Sequence, residues 1–179
     1  KYNLNSEQKK ALNYLNSVNN KFDVSVLQGT TGSGKTIVYF ERIKKIIDKN
    51  KQALVLLPEI FLTNEFKLRF KDFFGFEPAI WHSKISSKNK RIIWKGIINH
   101  EIKLVVGARS ALLLPFKKLG VIVVDEEHDI SYKQDEGVIY NARDMAISRA
   151  HFEKIPIHLV TSIPSIETYN NIQNKKFRH

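Results

Sequence analysis

The residues best suited to chemistry form one short stretch, from Gly29 to Thr36, which reads Gly-Thr-Thr-Gly-Ser-Gly-Lys-Thr. It fits the pattern Gly-x4-Gly-Lys-[Ser/Thr] of a phosphate-binding loop, in which glycines allow a tight turn and main-chain amides bind phosphate oxygens. In such a loop the Lys35 ammonium reaches the β- and γ-phosphates and the Thr36 hydroxyl binds Mg²⁺. The stretch therefore predicts a nucleoside triphosphate site. Its residues are Gly29, Thr30, Thr31, Gly32, Ser33, Gly34, Lys35 and Thr36.

A second candidate for chemistry is the acidic sequence Asp125-Glu-Glu-His128, which follows an apolar run at 120–124. This order is typical of the acidic motif that accompanies a phosphate-binding loop. Asp125 is predicted to hold Mg²⁺ through water, and Glu126 to orient or activate the water that attacks the terminal phosphate. His128 has two interpretations. It is either a surface or packing histidine, or a sensor that reports the γ-phosphate state to the rest of the protein.

Strand-like and helix-like patterns alternate around these two motifs. Alternation of this kind predicts βαβ units and a mostly parallel sheet, with ligands bound beyond the carboxyl ends of the strands. Both motifs are expected to lie at that edge. The predicted strands are 24–27, 53–57, 78–81, 103–106, 120–124 and 157–160, and the predicted helices begin near residues 6, 37, 62, 87, 142 and 165.

Composition narrows the class of protein. The 179 residues suit one domain, and the lack of Cys excludes disulfides and cysteine zinc sites. No apolar run approaches the roughly 18 residues of a membrane span, and the polar start is no secretory signal, so we expect a soluble cytoplasmic protein without a membrane partner. The net charge of +11 favours a nucleic-acid partner, with a solvated lysine-rich surface as the alternative. Residues 174–179 are expected to form a frayed or truncated end.

Longer motifs resemble the PriA family of replication-restart helicases, which are superfamily 2 motors. The resemblance is carried by residues 125–134, Asp-Glu-Glu-His-Asp-Ile-Ser-Tyr-Lys-Gln, and by residues 140–144, Tyr-Asn-Ala-Arg-Asp. Segments similar to the family's other first-lobe motifs extend it from about Leu4 to Asn171; they are 57–63, 81–83, 107–112 and 119–125. The resemblance implies a P-loop NTPase of the RecA-like type. This is a three-layer α/β/α domain with a mostly parallel sheet that binds ATP and Mg²⁺.

The resemblance also implies roles for individual residues. Gln8 is expected to read adenine, since a side-chain amide can pair with the N6 and N7 edge; an exposed Gln at a helix start is the alternative. Six further residues are expected to contact DNA. They are Thr63, Arg109 and Ser110, which would follow the phosphates of a single strand, and Tyr132, Lys133 and Tyr140 of an aromatic-rich loop. The alternatives are loop capping for the first three and partly buried anchors for the two tyrosines.

One position departs from the family pattern. Thr161-Ser-Ile-Pro-Ser165 stands where the family has Ser-Ala-Thr-Pro-Ser. In the family this motif couples hydrolysis to strand movement, and Ile163 has no hydroxyl with which to take part. The departure therefore puts the coupling of ATP hydrolysis to strand movement in question, whereas the prediction of ATP binding does not depend on this position.

The resemblance implies a longer parent protein. Family members have a second lobe with arginine fingers, an amino-terminal DNA-binding region and a cysteine zinc module, none of which is found in this sequence. Residues 1–179 are therefore expected to be a first motor lobe, the helicase ATP-binding domain. Because an arginine finger is worth roughly a thousandfold in rate, this lobe is expected to have little activity alone. Zinc is expected only elsewhere in the parent protein.

The parent is expected to be a 3′-to-5′ ATP-dependent DNA helicase of replication restart. Its expected partners are forked or single-stranded DNA, the primosome and single-strand-binding proteins. Two alternatives remain open at this point. One is a lobe of another superfamily 2 translocase, such as a RecG-like protein or a restriction subunit. The other is a non-catalytic nucleotide-binding or docking module.

Overall fold

A computed structural model describes residues 2–133 and 141–179 of the chain. Strands and α-helices alternate through these residues, except that a 3₁₀ helix at Arg109–Leu113 joins the fourth strand to the fifth. The strands are β1 (Asp23–Gln28), β2 (Gln52–Leu56), β3 (Ala79–Trp81), β4 (Leu104–Gly107), β5 (Leu119–Val124) and β6 (Pro156–Thr161). The helices are α1 (Ser6–Asn16), α2 (Lys35–Asp48), α3 (Asn64–Phe74), α4 (Ser87–Ile98), α5 (Ala142–Glu153) and α6 (Ile166–Gln173).

The strands form one sheet in the order β1-β6-β5-β2-β4-β3, and every neighbouring pair is parallel. Each predicted strand is present with ends that lie within one residue of the prediction. The central strands are buried along their whole length, as expected when helices cover both faces of a parallel sheet. The prediction of an α/β fold with a mostly parallel sheet is confirmed.

Side chains of the central strands alternate between two cores. On β5, Val121 and Val123 pack on one face with residues of α1, α2 and α3. Ile122 and Val124 pack on the other face with residues of α4 and α5. The sheet is therefore the middle of three layers, which confirms the expected α/β/α arrangement.

The C-terminal segment packs along the outer edge of β1. The Arg178 amide donates to the Val24 carbonyl at 2.8 Å, and the Val26 amide donates to the Arg178 carbonyl at 2.7 Å. The Arg178 side chain also donates to Asp23 Oδ2 at 2.7 Å. The expectation of a frayed end is wrong, because these bonds attach the segment to the sheet.

The carboxyl ends of the strands bring the two predicted motifs to one edge. The phosphate-binding loop follows β1, and Asp125 follows β5, where its amide donates to the Leu56 carbonyl of β2 at 3.0 Å. Within residues 2–133 and 141–179, no helix is both long enough and apolar enough to cross a membrane.

Candidate functional site

The phosphate-binding loop joins β1 to α2, which begins at Lys35. Gly32 and Gly34 have φ angles of +80° and +81°, a left-handed conformation that favours glycine. A Cβ on Gly34 would also collide with the side-chain amide of Gln8. Because Gly34 has no side chain with which to cap α2, the first amides of the helix remain available to an anion.

The Lys35 ammonium lies back on the loop. It donates to the Gly29 carbonyl at 2.6 Å and to the Thr30 carbonyl at 3.0 Å. Charge-assisted hydrogen bonds to phosphate are stronger than bonds to neutral carbonyls, so a phosphate in the loop would replace these partners. The Lys35 ammonium thus lies within the loop, and its contact with phosphate stays a prediction.

Asp125 is almost fully buried, with 7% of its surface exposed. Its Oδ2 accepts from the Tyr39 hydroxyl at 2.8 Å, and its Oδ1 accepts from the Glu126 amide at 2.8 Å. Burial raises the pKa of Asp125 to about 6, although both hydrogen bonds favour the ionised form. Burial and the Asp125 carboxylate raise the pKa of Tyr39, so the phenol remains a donor. Tyr39 therefore fixes the orientation of the carboxylate predicted to hold magnesium.

A cavity of about 260 Å³ opens beside these residues. The motif residues Thr36, Asp125 and Glu126 line one side of it. The other side carries Thr63, which begins α3, and Arg69 on the same helix. The cavity thus joins the predicted magnesium residues to the predicted catalytic carboxylate.

The donor set at this cavity fits magnesium carried by a nucleotide. One hydroxyl and one carboxylate leave most of the octahedral positions to phosphate oxygens and water, which is how Mg²⁺ usually binds in such sites. Among the described residues no group of three His, Asp or Glu side chains could hold a metal unaided. Thr36 and Asp125 would therefore depend on the phosphates to complete the coordination.

His128 connects the acidic motif to the end of β6. The Thr161 hydroxyl donates its hydrogen to the Ile163 carbonyl at 2.7 Å, so it accepts from Nδ1 of His128 at 2.6 Å. On the other side of the ring, Nε2 lies 3.4 Å from Glu126 Oε2. The His128 ring thus stands between the candidate catalytic carboxylate and the segment that contains Ile163. The side chain of Ile163 is itself 72% exposed.

Gln8 lies against the phosphate-binding loop. Its Nε2 donates to the Ser33 carbonyl at 3.2 Å, while its Oε1 accepts from the Asn5 amide at 2.9 Å. A cavity of about 230 Å³ lies between this side chain and the loop. Gln8 therefore caps α1 and also lines this 230 Å³ cavity beside the loop. Its role in reading adenine stays a prediction.

A third cavity, of about 280 Å³, lies beyond the ends of β2 and β4. Arg109 lines it together with Glu59, Ser83 and Ser131. The Arg109 guanidinium donates to the Lys133 carbonyl at 3.2 Å, and the Ser83 hydroxyl donates to Glu59 Oε1 at 3.0 Å. Arg109, which lines this cavity, thus contacts the main chain of Lys133, another residue predicted to contact DNA.

The remaining DNA-contact predictions are placed in different ways. Ser110 is exposed, as such a role requires, and Lys133 Nζ lies 3.9 Å from Glu167. The Thr63 hydroxyl accepts from the Phe66 amide at 3.2 Å, so it caps α3. Thr63 lines the 260 Å³ cavity at Asp125 and not the one at Arg109. Tyr140 lies outside the described residues.

The DNA contact predicted for Tyr132, which its ring would make by stacking on a base, is wrong in this structure. The side chain is 1% exposed, and its hydroxyl reaches the Leu56 carbonyl at 3.1 Å and the Asp125 carbonyl at 2.5 Å. A ring that is enclosed in the core cannot stack on a base. Tyr132 instead anchors the segment after the acidic motif to the ends of β2 and β5, in agreement with the alternative of a buried anchor.

A buried polar cluster around Glu127 was not anticipated from the sequence. Glu127 accepts from the Ser165 amide at 2.8 Å and from the Thr168 hydroxyl at 2.9 Å. The Arg143 guanidinium lies 3.4 Å from the same carboxylate, and both side chains are at most 4% exposed. The cluster attaches the acidic motif to the start of α6. Its sequence signal was the pairing of an acidic motif with the Arg of the separate 140–144 motif.

Comparison with known families identifies relatives over almost the whole chain. Residues 1–175 match the family model described as type III restriction enzyme, res subunit. Replication restart protein PriA of Rickettsia conorii is 50% identical over 175 residues, which are 98% of this chain and 26% of that protein. Replication restart protein PriA of Bacillus subtilis is 46% identical over 150 residues, or 84% of this chain and 19% of that protein. The chain thus spans about a quarter or less of the length of these relatives.

Solved structures with the same fold include RecG and the DUF1998 helicase MrfA. The structure of RecG bound to a three-way DNA junction superposes on this chain with a TM-score of 0.63 at 18% identity. The superposed region covers 96% of this chain and 22% of RecG. The DUF1998 helicase MrfA, bound to DNA and AMPPNP, gives a TM-score of 0.65 at 19% identity, over 98% of this chain and 26% of MrfA. At this level of identity the likeness establishes the fold alone.

Proposed function

The chain belongs to the family of the type III restriction enzyme res subunit, and from that premise we propose that it is the ATP-binding first motor lobe of a replication-restart DNA helicase of the PriA type. One observation carries the proposal. Thr36, Asp125 and Glu126 line a single cavity, and Lys35, whose charge favours the ionised form of Asp125, lines a second cavity against the loop. Together these are the groups that phosphoryl transfer to water requires.

In the proposed reaction Lys35 exchanges its two carbonyl partners for the β- and γ-phosphates of ATP. Thr36 and Asp125 would hold the magnesium ion, and Tyr39 would keep the Asp125 carboxylate in position. Glu126 would accept the proton of a water whose oxygen bonds to the γ-phosphorus while the bond to the β–γ bridging oxygen breaks and ADP leaves. Bound Mg²⁺ would supply charge neutralisation of the phosphates. Gln8, which already lies against the loop, would select adenine.

The proposed DNA surface is the cavity lined by Arg109 and Ser83, with Ser110 and Lys133 beside it. Phosphates of one strand would bind the cation, the hydroxyls and the exposed main chain there. The lobe would act within a 3′-to-5′ helicase on forked or single-stranded DNA in the cytoplasm. The primosome and single-strand-binding proteins are the proposed partners, and the zinc module would lie elsewhere in the parent.

A second lobe would complete the ATP site. Because the chain spans about a quarter of its relatives, the arginine fingers that stabilise the transition state would come from outside it. We therefore expect this chain alone to bind ATP and to hydrolyse it slowly. The 50% identity to a PriA protein favours replication restart over the RecG-like and restriction alternatives.

The test is strand displacement by the longer gene product that contains this chain and a second lobe. Displacement of a strand from a forked duplex at saturating ATP supports the proposal. A Glu126→Gln variant, which should bind ATP without turning it over, is the matched control. Absence of displacement by a folded, ATP-binding protein would overturn the helicase assignment.

A further inference from the structure

Helix α4 and the turn before it carry an uninterrupted run of positive charge. Between Glu77 and Glu101 the chain has four lysines, one arginine and no Asp or Glu, which is almost half of the net charge of +11. The cationic residues are Lys84, Lys88, Lys90, Arg91 and Lys95. The concentration of charge in this one segment distinguishes it from a lysine-rich surface spread over the whole chain.

Three of these cations lie on one face of α4. Lys88, Arg91 and Lys95 follow one another at spacings of three and four residues, so they project from the same side of the helix. All three side chains are exposed. In the part of the chain that the structure describes, none of the five cations has a carboxylate within 4.0 Å. The face therefore presents charge that no described residue neutralises.

The charged face begins at the rim of the proposed DNA cavity. Ser83, which lines that cavity with Arg109, immediately precedes Lys84. The N-terminal end of α4, capped by Ser86, adds the positive pole of the helix dipole at the same place. A nucleic acid that leaves the cavity on this side would meet the cationic face directly.

We propose that the α4 face, Lys88, Arg91 and Lys95, binds the phosphate backbone of the duplex that adjoins the single strand in the cavity. This inference rests on the proposed function. The three cations span about 10 Å of helix axis, or about three of the steps of about 3.4 Å that separate successive phosphates of one strand along a duplex. Single-strand surfaces add several aromatic platforms, whereas α4 carries one aromatic residue, Trp94, which is 41% exposed and lies against Trp81.

The experiment compares two variants of the 179-residue chain with the same change in charge. The first is Lys88→Gln/Arg91→Gln/Lys95→Gln. The control is Lys44→Gln/Lys45→Gln/Lys49→Gln, which removes three exposed lysines at the end of α2. Binding of a blunt duplex, a tailed duplex and oligo(dT) is measured between about 50 and 200 mM salt, where phosphate contacts dominate affinity. Thermal unfolding verifies that each variant is folded.

A plot of log Kobs against log salt has a negative slope. For both duplexes the α4 variant should make this slope less negative by roughly 2.7, or about 0.9 per lost phosphate contact. Its binding of oligo(dT), and the slope of the control variant, should stay as in the wild type. An unchanged slope for the α4 variant, or an equal change in the control, overturns the inference. An equal loss on oligo(dT) overturns the duplex assignment. The proposed function is tested separately by Arg109→Ala, which should weaken oligo(dT) binding.

Discussion

The imidazole Nδ1 of His128 lies 2.6 Å from the hydroxyl of Thr161, so a direct hydrogen bond joins the acidic motif to the last residue of β6. The same hydroxyl donates to the main chain of Ile163. This contact thus depends on a side chain two residues before Ile163. The Ile side chain points to solvent and takes no part in it.

We predict that Thr161→Val uncouples hydrolysis from strand movement in the longer helicase. Valine keeps the volume of threonine but removes the acceptor of His128 Nδ1, a hydrogen bond worth about 0.5–1.5 kcal/mol. The number of ATP molecules hydrolysed per strand displaced should rise, while nucleotide affinity stays the same. Ile163→Thr, which restores the family hydroxyl, is the control and should couple at least as well as the wild type. Unchanged coupling in Thr161→Val would show that the His128 contact is only structural.

Lys35→Ala should weaken ATP binding by the chain tenfold or more. The lost ammonium makes charge-assisted bonds to phosphate, which are worth about 1.5–3 kcal/mol each. Titration calorimetry with ATP and Mg²⁺ measures the change in Kd. Lys44→Ala, an exposed lysine on the same helix, is the matched control and should bind like the wild type. Equal affinities in Lys35→Ala and the wild type would remove the phosphate-loop assignment.

Tyr132→Phe should lower the free energy of unfolding by about 1–2 kcal/mol and leave DNA affinity unchanged. The variant removes the hydroxyl that bonds the Leu56 and Asp125 carbonyls, and keeps the ring in its buried place. Denaturant unfolding and oligo(dT) binding are the two measurements. Lys133→Ala should give the reverse pattern, because the exposed ammonium is proposed to contact phosphate. Loss of DNA affinity at unchanged stability in Tyr132→Phe would restore the stacking role.

The chain should lose stability as the pH falls below about 6.5 because of His158. The ring is buried, its Nδ1 lies 2.6 Å from Ser25 Oγ, and its Nε2 accepts from Arg42 at 3.1 Å. Burial, and then Arg42 and Arg178, lower the pKa of His158 well below its usual value. The folded chain therefore favours the neutral form of His158. The contribution of this preference to the free energy of unfolding is fully present above the pKa of the histidine in the unfolded chain, and it is lost as the pH falls towards the lower pKa in the folded chain.

The measurement is the urea midpoint of the wild type and of His158→Gln between about pH 5 and 7.5. The slope attributable to His158 can reach about 1.4 kcal/mol per pH unit, the value for one proton. Asp125 titrates near pH 6 with the opposite sign, so only the difference between the two proteins isolates the histidine. His82→Gln serves as the control. Parallel pH profiles for the wild type and His158→Gln would contradict the prediction.

Glu127→Gln should destabilise the chain by about 3–5 kcal/mol. The change removes the buried carboxylate beside the Arg143 guanidinium and leaves it the exposed Asp144 at 3.2 Å, and breaking a buried ion pair is costly. Adding Arg143→Met should recover part of the loss, because it removes the charge that has lost its buried partner. A double-mutant cycle in urea measures the coupling. Additive effects of the two changes would show that the pair does not interact energetically.

Local patterns were enough to predict most of the fold. Apolar runs and helical periodicity are properties of neighbouring residues, so the six strands were placed within one residue of their observed ends. The phosphate-binding loop could be predicted for the same reason, since its residues are consecutive. The order of the strands does not follow from such patterns, because parallel strands pair through crossovers of many residues.

The parts of the site that could not be predicted depend on contacts between distant positions. The Glu127 cluster joins residues 38 and 41 positions apart, and nothing in either segment alone indicates the other. Tyr132 is a tyrosine in a polar segment, which suggests exposure, but main-chain carbonyls at two strand ends satisfy its hydroxyl. The attachment of Arg178 likewise depends on β1, more than 150 residues earlier.

That attachment also bears on the exposed edge of the sheet. β1 is the outermost strand on its side of the sheet, and the unpaired amides and carbonyls of an edge strand can recruit a strand from another molecule. Arg178 occupies the Val24 carbonyl and the Val26 amide, in the middle of β1. The C-terminal segment is thus a cover that closes this edge to intermolecular strand pairing, on the same strand that leads into the phosphate-binding loop.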